Sequence, residues 1–243
     1  MQIKKHSLSV QHDRQEDAYI YHSDINIYND VIYLDDPFVV DKLNLFANSM
    51  TNFPYGHQED IISSLRESSN NTFDEIIAKD SLKKISKLID NAGIGKLVQD
   101  NNSQWLMQEG DTKRNIHPEN ISTGMKTFLI LKQLLLNGAL TADGVLILDE
   151  PEIHLHPKWQ ILLAEVIVLM QVEFNLHILM NTHSPFFLDA IETFSEKYGV
   201  KDKCKYYLAY NRGNNAVIRD VSDNTTPIYQ KLAEPIQWLE NQK

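Results

Sequence analysis

Residues 146–156 read LILDEPEIHLH, an apolar run that ends in Asp149, Glu150, Glu152, His154 and His156. An aspartate at the tip of such a run can hold a hard cation, and the glutamate beside it can polarise water. A second apolar run, LHILMN, ends in Thr182, His183 and Ser184. A third segment, NISTGMKTFLILKQLLLNG, begins with Ser122, Thr123 and Gly124. Read as a helix, its start offers unpaired N–H groups and the positive end of the macrodipole, both suited to an anion. Carboxylates for a metal, a histidine and an anion-binding helix start together point to phosphoryl transfer to water.

These groups need a scaffold that brings them to one edge. GVLILDE and LHILMNTHS read as continuous apolar strands buried on both faces. HPKWQILLAEVIVLMQ reads as a helix with Pro157 near its first turn, and PFFLDAIETFSEKYG as a helix opened by Pro185. Helices alternating with apolar strands predict a mainly parallel sheet, whose ligands bind outside the carboxyl ends of the strands. Gly138 should end the helix that begins near Ser122. KYYLAYNRGNNAVIRDV predicts a hairpin with a Gly/Asn turn, followed by a final helix.

The earlier part of the chain is less directive. DVIYLDDPF is read as a plain core strand entering an inserted region, and as a poor phosphate site because no glycine approaches it. Residues 47–72 are rich in Asn and Ser, include Gly56, and read as a loop or boundary. Thr72 and Glu75 form a capping-box pair, after which Phe73, Ile76, Ile77, Ile85, Leu88 and Ile89 keep helical spacing to Gly93.

Composition narrows the classes. The chain has 243 residues, 42% apolar and 23% charged, which fits a folded domain rather than disorder. A formal net charge of −10 provides no general grip on nucleic acid. Cys204 is the only cysteine, so neither a disulfide nor a cysteine-based zinc site can form within the chain, and a reducing cytoplasm is expected. No apolar stretch approaches the length of a membrane helix.

LILDEPEIHLHP resembles the Walker B and D-loop region of ABC-type ATPases, in the branch with the overcoming-lysogenization and RecF/SMC-like proteins. NISTGMKTF resembles the signature motif of that family, and NTHSP its switch-histidine segment. The order and spacing of the three match over about residues 115–195. The resemblance implies an α/β P-loop NTPase lobe of the ABC type, with a mainly parallel sheet flanked by helices and a helical insertion. It implies ATP and Mg²⁺ as cofactors. Asp149 would hold Mg²⁺, Glu150 would polarise the attacking water, and His183 would contact the γ-phosphate. Ser122, Thr123, Gly124 and Lys126 would contact nucleotide held by a second subunit, and His154 and His156 would lie at the dimer seam. A homodimer through the nucleotide site is therefore expected, with a partner nuclease or DNA and no membrane. On this basis residues 1–60 are the partial N-terminal part of the ATPase core, 61–118 the helical insertion, and 119–243 the lobe with signature, Walker B and switch histidine.

One part of the pattern is missing. The family needs G-x-x-x-x-G-K-[ST] before the signature, and the sequence has none. Its only Gly-Lys pair, Gly95-Lys96, is followed by Leu97 and has Asp90 in the place of the first glycine. The chain is thus expected to be the C-terminal portion of a longer ATPase, or an unusual stand-alone half. Other readings stay open from the residues alone. Asp149 and Glu150 could be a turn or cap pair. His154 and His156 could be loop histidines, or bind a metal with Glu152. His183 could be a buried, satisfied histidine, and Ser122 an ordinary N-cap. The competing functions are a nucleotide-independent interaction module with idle motifs and a metal-dependent nuclease. The stretch after NTHSP is too short for the appended toprim nuclease domain of the overcoming-lysogenization branch.

Overall fold

A computed structural model of the chain describes residues 8–13, 18–23, 31–44, 56–67, 75–110, 114–213 and 215–242. The chain divides into two units, Met1–Asp30 and Val31–Lys243. In the first, β1 (Leu8–Asp13) pairs antiparallel with β2 (Ala18–Ser23).

The second unit opens with β3 (Val31–Leu34) and a 3-10 turn over Pro37–Lys42. There follow α1 (His57–Arg66), α2 (Glu75–Asn91), β4 (Lys96–Gln99), β5 (Trp105–Gln108) and β6 (Asn115–Ile116). The remaining elements are α3 (Thr123–Leu136), β7 (Val145–Asp149), α4 (Pro157–Phe174), β8 (His177–Asn181) and α5 (Pro185–Lys197). A hairpin of β9 (Tyr207–Arg212) and β10 (Asn215–Asp220) precedes α6 (Thr226–Glu240).

Strands β3, β7 and β8 form a parallel sheet in that order. The register aligns Ile32, Leu146 and Ile178 in one row and Leu34, Leu148 and Met180 in another. These rows form the core face: Ile32, Leu34, Leu146 and Leu148 are buried, and Ile178 and Met180 pack against them. The architecture is the expected α/β one, a parallel sheet flanked by helices. The expectation of strands buried on both faces is corrected. Alternate residues point to a face that is only partly covered, where Val31 is 55% and Leu179 62% exposed. The outer edge of β8 carries no strand among the described residues.

Helix α3 runs through the core. Residues 126–135 are all buried, including Lys126, Lys132 and Gln133, as a helix that is apolar nearly all round requires. Each buried lysine is satisfied. Lys132 Nζ donates to Asp90 Oδ1 at 2.6 Å, to the Ile94 carbonyl at 3.0 Å and to the Gly95 carbonyl at 2.8 Å. Lys126 Nζ lies 2.6 Å from both carboxylate oxygens of Asp41 and 4.7 Å from the centre of the Phe38 ring. Gly138 (φ 68°) follows the helix in the left-handed region, as predicted.

Two stretches differ from the sequence reading. Residues 57–66, within the segment read as a loop, form α1, because Ile61, Ile62 and Leu65 share a face that buries against the core. Residues 96–116, within the segment read as a helical insertion, contain the antiparallel sheet β4-β5-β6. The pair Gly95-Lys96 enters this sheet rather than a phosphate loop. A Cβ on Gly95 would lie 2.1 Å from the Gln108 carbonyl oxygen, so the residue is glycine for close strand packing. Helix α2 buries Ile85 and Ile89 as its spacing predicts. Thr72 and Phe73 lie outside the described residues.

The buried ion pair yields a stability test. Asp41→Ala would leave a 2% exposed ammonium without its counter-charge, which is expected to cost about 3 kcal/mol. Adding Lys126→Met should recover much of that loss. Urea midpoints of the two variants, read against the unsubstituted chain, check both expectations.

Candidate functional site

The aligned ends of β7 and β8 position the chemistry. Asp149 pairs in register with Asn181, so the residues following each strand emerge side by side. Glu150 turns away from the strand with φ 43°, a left-handed conformation that a non-glycine residue rarely adopts and that carries strain. Its backbone N–H donates to Asn181 Oδ1 at 2.8 Å, which fixes that turn. Its side chain meets the next loop: Glu150 Oε1 lies 3.2 Å from His183 Nε2. The His183 side chain is 81% exposed, so it is not the buried, satisfied histidine of the alternative reading.

Beneath this pair lies a polar network. Glu152 is buried, and one of its carboxylate oxygens, Oε1, accepts from the Thr182 hydroxyl. Burial pushes its pKa up; the Thr182 hydroxyl and the backbone amides of Glu152 and His183 oppose that, and the nearby Glu150 charge adds to it. Ser184 Oγ donates to Gln160 Oε1 at 2.5 Å, and Gln160 Nε2 donates to the Leu155 carbonyl at 3.0 Å. The turn after β7, the loop after β8 and the first turn of α4 are thereby tied together.

The start of α3 packs against the same turn. A Cβ on Gly124 would lie 2.6 Å from Leu155 Cδ2 and 3.1 Å from the His154 carbonyl oxygen. Ser122 is the N-cap residue and is exposed, yet its side chain makes no capping hydrogen bond. Its hydroxyl is therefore not spent as an ordinary cap. Thr123 and Gly124 follow it at the open end. Lys126, grouped with them from the sequence, is turned inward and held by Asp41, so it belongs to the core and does not face an incoming anion.

His154 and His156 have local roles. His156 Nδ1 accepts from the Lys158 amide at 3.3 Å and caps α4. The His154 ring lies edge-on to Phe38, with centroids 6.1 Å apart. The three-way metal site of His154, His156 and Glu152 is not formed, and no group of three metal-ligating side chains converges among the described residues.

The site extends beyond the residues named from the sequence. Leu34 pairs with Leu148, so Asp35 follows β3 beside Asp149. A cavity of about 230 Å³ is lined by Asp35, Asp36, Thr127, Asp149, Glu150 and His154, among others. Burial, and then the charges of Asp149 and Asp35, hold the Tyr33 phenol above its ordinary range. Asp35 accepts from or donates to nothing through Oδ1, which is buried, while its Oδ2 lies 2.9 Å from His57 Nε2. The stretch DVIYLDDPF is thus a core strand, as read, but its tip also enters the site. The sequence signal was there: an apolar run ending in two aspartates, like the one ending at Asp149.

The donor set fits a magnesium ion, which is held through one or two carboxylates and completes its shell with water and phosphate oxygens. Asp149 supplies one carboxylate, and Asp35, which lines the same cavity, supplies a second. For nucleotide the fit is partial. The α3 start offers N–H groups, but no glycine-rich phosphate loop occurs among the described residues.

A protein-family profile described as "AAA domain, putative AbiEii toxin, Type IV TA system" matches residues 2–189. The chain belongs to this AAA-domain family, and its class is that of the nucleotide-binding ATPases with a P-loop-NTPase-like α/β fold. Among solved structures, a similar chain comes from work on the "Structural biochemistry of ATP-driven dimerization and DNA stimulated activation of SMC ATPases". The two are 13% identical, the match covers 64% of this chain and 94% of that one, and the TM-score is 0.43. No helix among the described residues is long and apolar enough to cross a membrane.

Gly124 offers a direct test of the packing between α3 and the 150–156 turn. In Gly124→Ala the Leu155 tip can swing away, but the His154 carbonyl must move with the backbone. The expected cost is about 1 kcal/mol, with faster amide exchange in residues 150–156. Unchanged stability and exchange would mean that the two elements do not touch in this way.

Proposed function

We propose that this chain supplies the hydrolytic half of a composite ATPase site, which closes when two ATPase lobes dimerise around ATP and Mg²⁺. The observation that carries the reading is the Glu150–His183 pair beside Asp149, at the aligned ends of two parallel strands. In it Glu150 would polarise the attacking water, His183 would contact the γ-phosphate, and Asp149 would hold Mg²⁺. The ion would supply charge neutralisation for the phosphate oxygens. Ser122, Thr123 and Gly124 would meet the γ-phosphate of the facing lobe. Lys126 has no part in this, because Asp41 holds it.

Dimerisation is supported by what surrounds the pair. Ser122 and His183 are exposed, and so are the apolar side chains of Ile153 (60%) and Phe186 (57%). A second lobe would cover them. The branch with RecF/SMC-like and overcoming-lysogenization proteins remains our reading of the three motifs, with a nuclease or DNA as the partner class, phage defence or DNA maintenance as the setting, and the cytoplasm as the compartment.

On this reading the phosphate-binding loop would come from a further segment, one that would add a strand to the outer edge of β8, which pairs with no other strand among the described residues, and a helix to the partly covered face of the sheet. Leu179 and Val31, both more than half exposed, lie on that face. Parallel sheets are ordinarily covered on both faces, which supports the assignment.

Titration calorimetry with Mg-ATP tests the incomplete site. The chain by itself should show no micromolar binding, and a tight isotherm would overturn the reading. In the ATPase assembled with its P-loop segment, Glu150→Gln should lower turnover by about 100-fold or more, because the amide cannot accept the water's proton. ATP-bound dimer should then accumulate in light scattering. Undiminished single-turnover hydrolysis would move the base elsewhere.

A further inference from the structure

Glu152 is a buried carboxylate that the proposed chemistry does not use. At 3% exposure it is one of the few charged side chains in the core, and its Oε2 has no hydrogen-bond partner. A buried carboxylate with an unpartnered oxygen is costly, so its placement calls for a compensating role.

Its contacts indicate that role. Oε1 accepts from the Thr182 hydroxyl, across a separation of 30 residues. Thr182 Oγ1 in turn accepts from the Ser184 amide at 3.0 Å. His183 lies between these two residues, with its imidazole largely out in solvent and its Nε2 3.2 Å from Glu150 Oε1. The loop after β8 is thus gripped on both sides of His183, and the grip comes from the turn that carries Glu150. The ties that join that turn to the β8 end include Asn181 to the Glu150 amide, the approach of Glu150 to the His183 ring, and Glu152 to Thr182. Of these, the last is the one that reaches a buried side chain, that of Glu152.

We propose that Glu152 is a positioning residue: through Thr182 it clamps the 182–184 loop to the 150–156 turn and so holds the exposed His183 in register with Glu150. Glu152 does not touch the reacting atoms. The clamp is a property of this chain; its effect on hydrolysis rests on the ATPase reading above.

The experiment separates those two layers. Glu152→Leu keeps the bulk and removes the acceptor; Glu152→Gln keeps an acceptor for Thr182; Thr182→Val removes the donor and gives a second route to the same loss. In the chain itself, amide exchange of residues 182–184 and 150–155 should quicken by about tenfold in Glu152→Leu and in Thr182→Val. Glu152→Gln should stay near the unsubstituted rate. The double variant should be no faster than either single one, since both cut the same tie. Unchanged exchange, additive effects, or an equal rise throughout α4 and α5 would overturn the clamp.

In the assembled ATPase, Glu152→Leu should lower kcat by about tenfold or more while KM for ATP stays within about twofold, with rescue by Glu152→Gln. A change in KM alone would overturn the positioning role. Absence of hydrolysis by the unsubstituted assembly would sink the ATPase reading instead, leaving the exchange result to decide the clamp.

Discussion

The parallel register of β3, β7 and β8 is the constraint on which the site depends. Leu34, Leu148 and Met180 stand in one row, so the residues that follow each strand are delivered to a single edge. Side chains far apart in the chain, Asp35, Asp149, Glu150 and His183, therefore need no long loops to meet. A one-residue slip in either pairing would turn each apolar row to the partly covered face and carry the polar tips away from one another. The burial of Leu146 and Leu148 opposes that slip, so the core that stabilises the sheet also sets the geometry of its edge.

Around that edge the chain uses strain and burial differently. Glu150 sits in a left-handed backbone conformation, and Asn181 satisfies the amide that this turn exposes. Such strain persists only where neighbours over-determine the backbone, and here they do so from two elements. Below the turn, the network of Glu152, Thr182, Ser184 and Gln160 is polar and largely enclosed. Above it, Glu150 and His183 stay accessible. A firm base with an open upper surface suits a site that must wait for a second body to complete it.

The two buried lysines of α3 show how a helix this apolar keeps one orientation. Hydrophobic burial alone is non-directional, and a helix buried on every side could rotate with little change in apolar contact. Lys126 reaches Asp41 and Lys132 reaches Asp90, towards different neighbours. Rotation would strip a buried ammonium of its partner, at a cost far above that of repacking a leucine. The start of α3, with Ser122 and Gly124, is thereby held against the 150–156 turn.

Much of this was legible in the sequence because it is local. Apolar runs marked β7 and β8, Pro157 and Pro185 marked helix starts, Gly138 marked a helix end, and the acidic and histidine tips stood out at the ends of their strands. The helix α1 was hidden by its polar composition, since only Ile61, Ile62 and Leu65 carry its buried face. What the tertiary structure alone decided is pairing across the chain. Lys126 looked like one more group at an anion-binding helix start until it met Asp41, 85 residues away. Asp35 ended an ordinary strand until the register placed it beside Asp149. Glu152 was a possible metal ligand beside His154 and His156 until its carboxylate met Thr182. Periodicity and capping report how a segment folds against itself, but the partner of a buried charge is set by which distant elements the core brings into contact, and no local pattern encodes that.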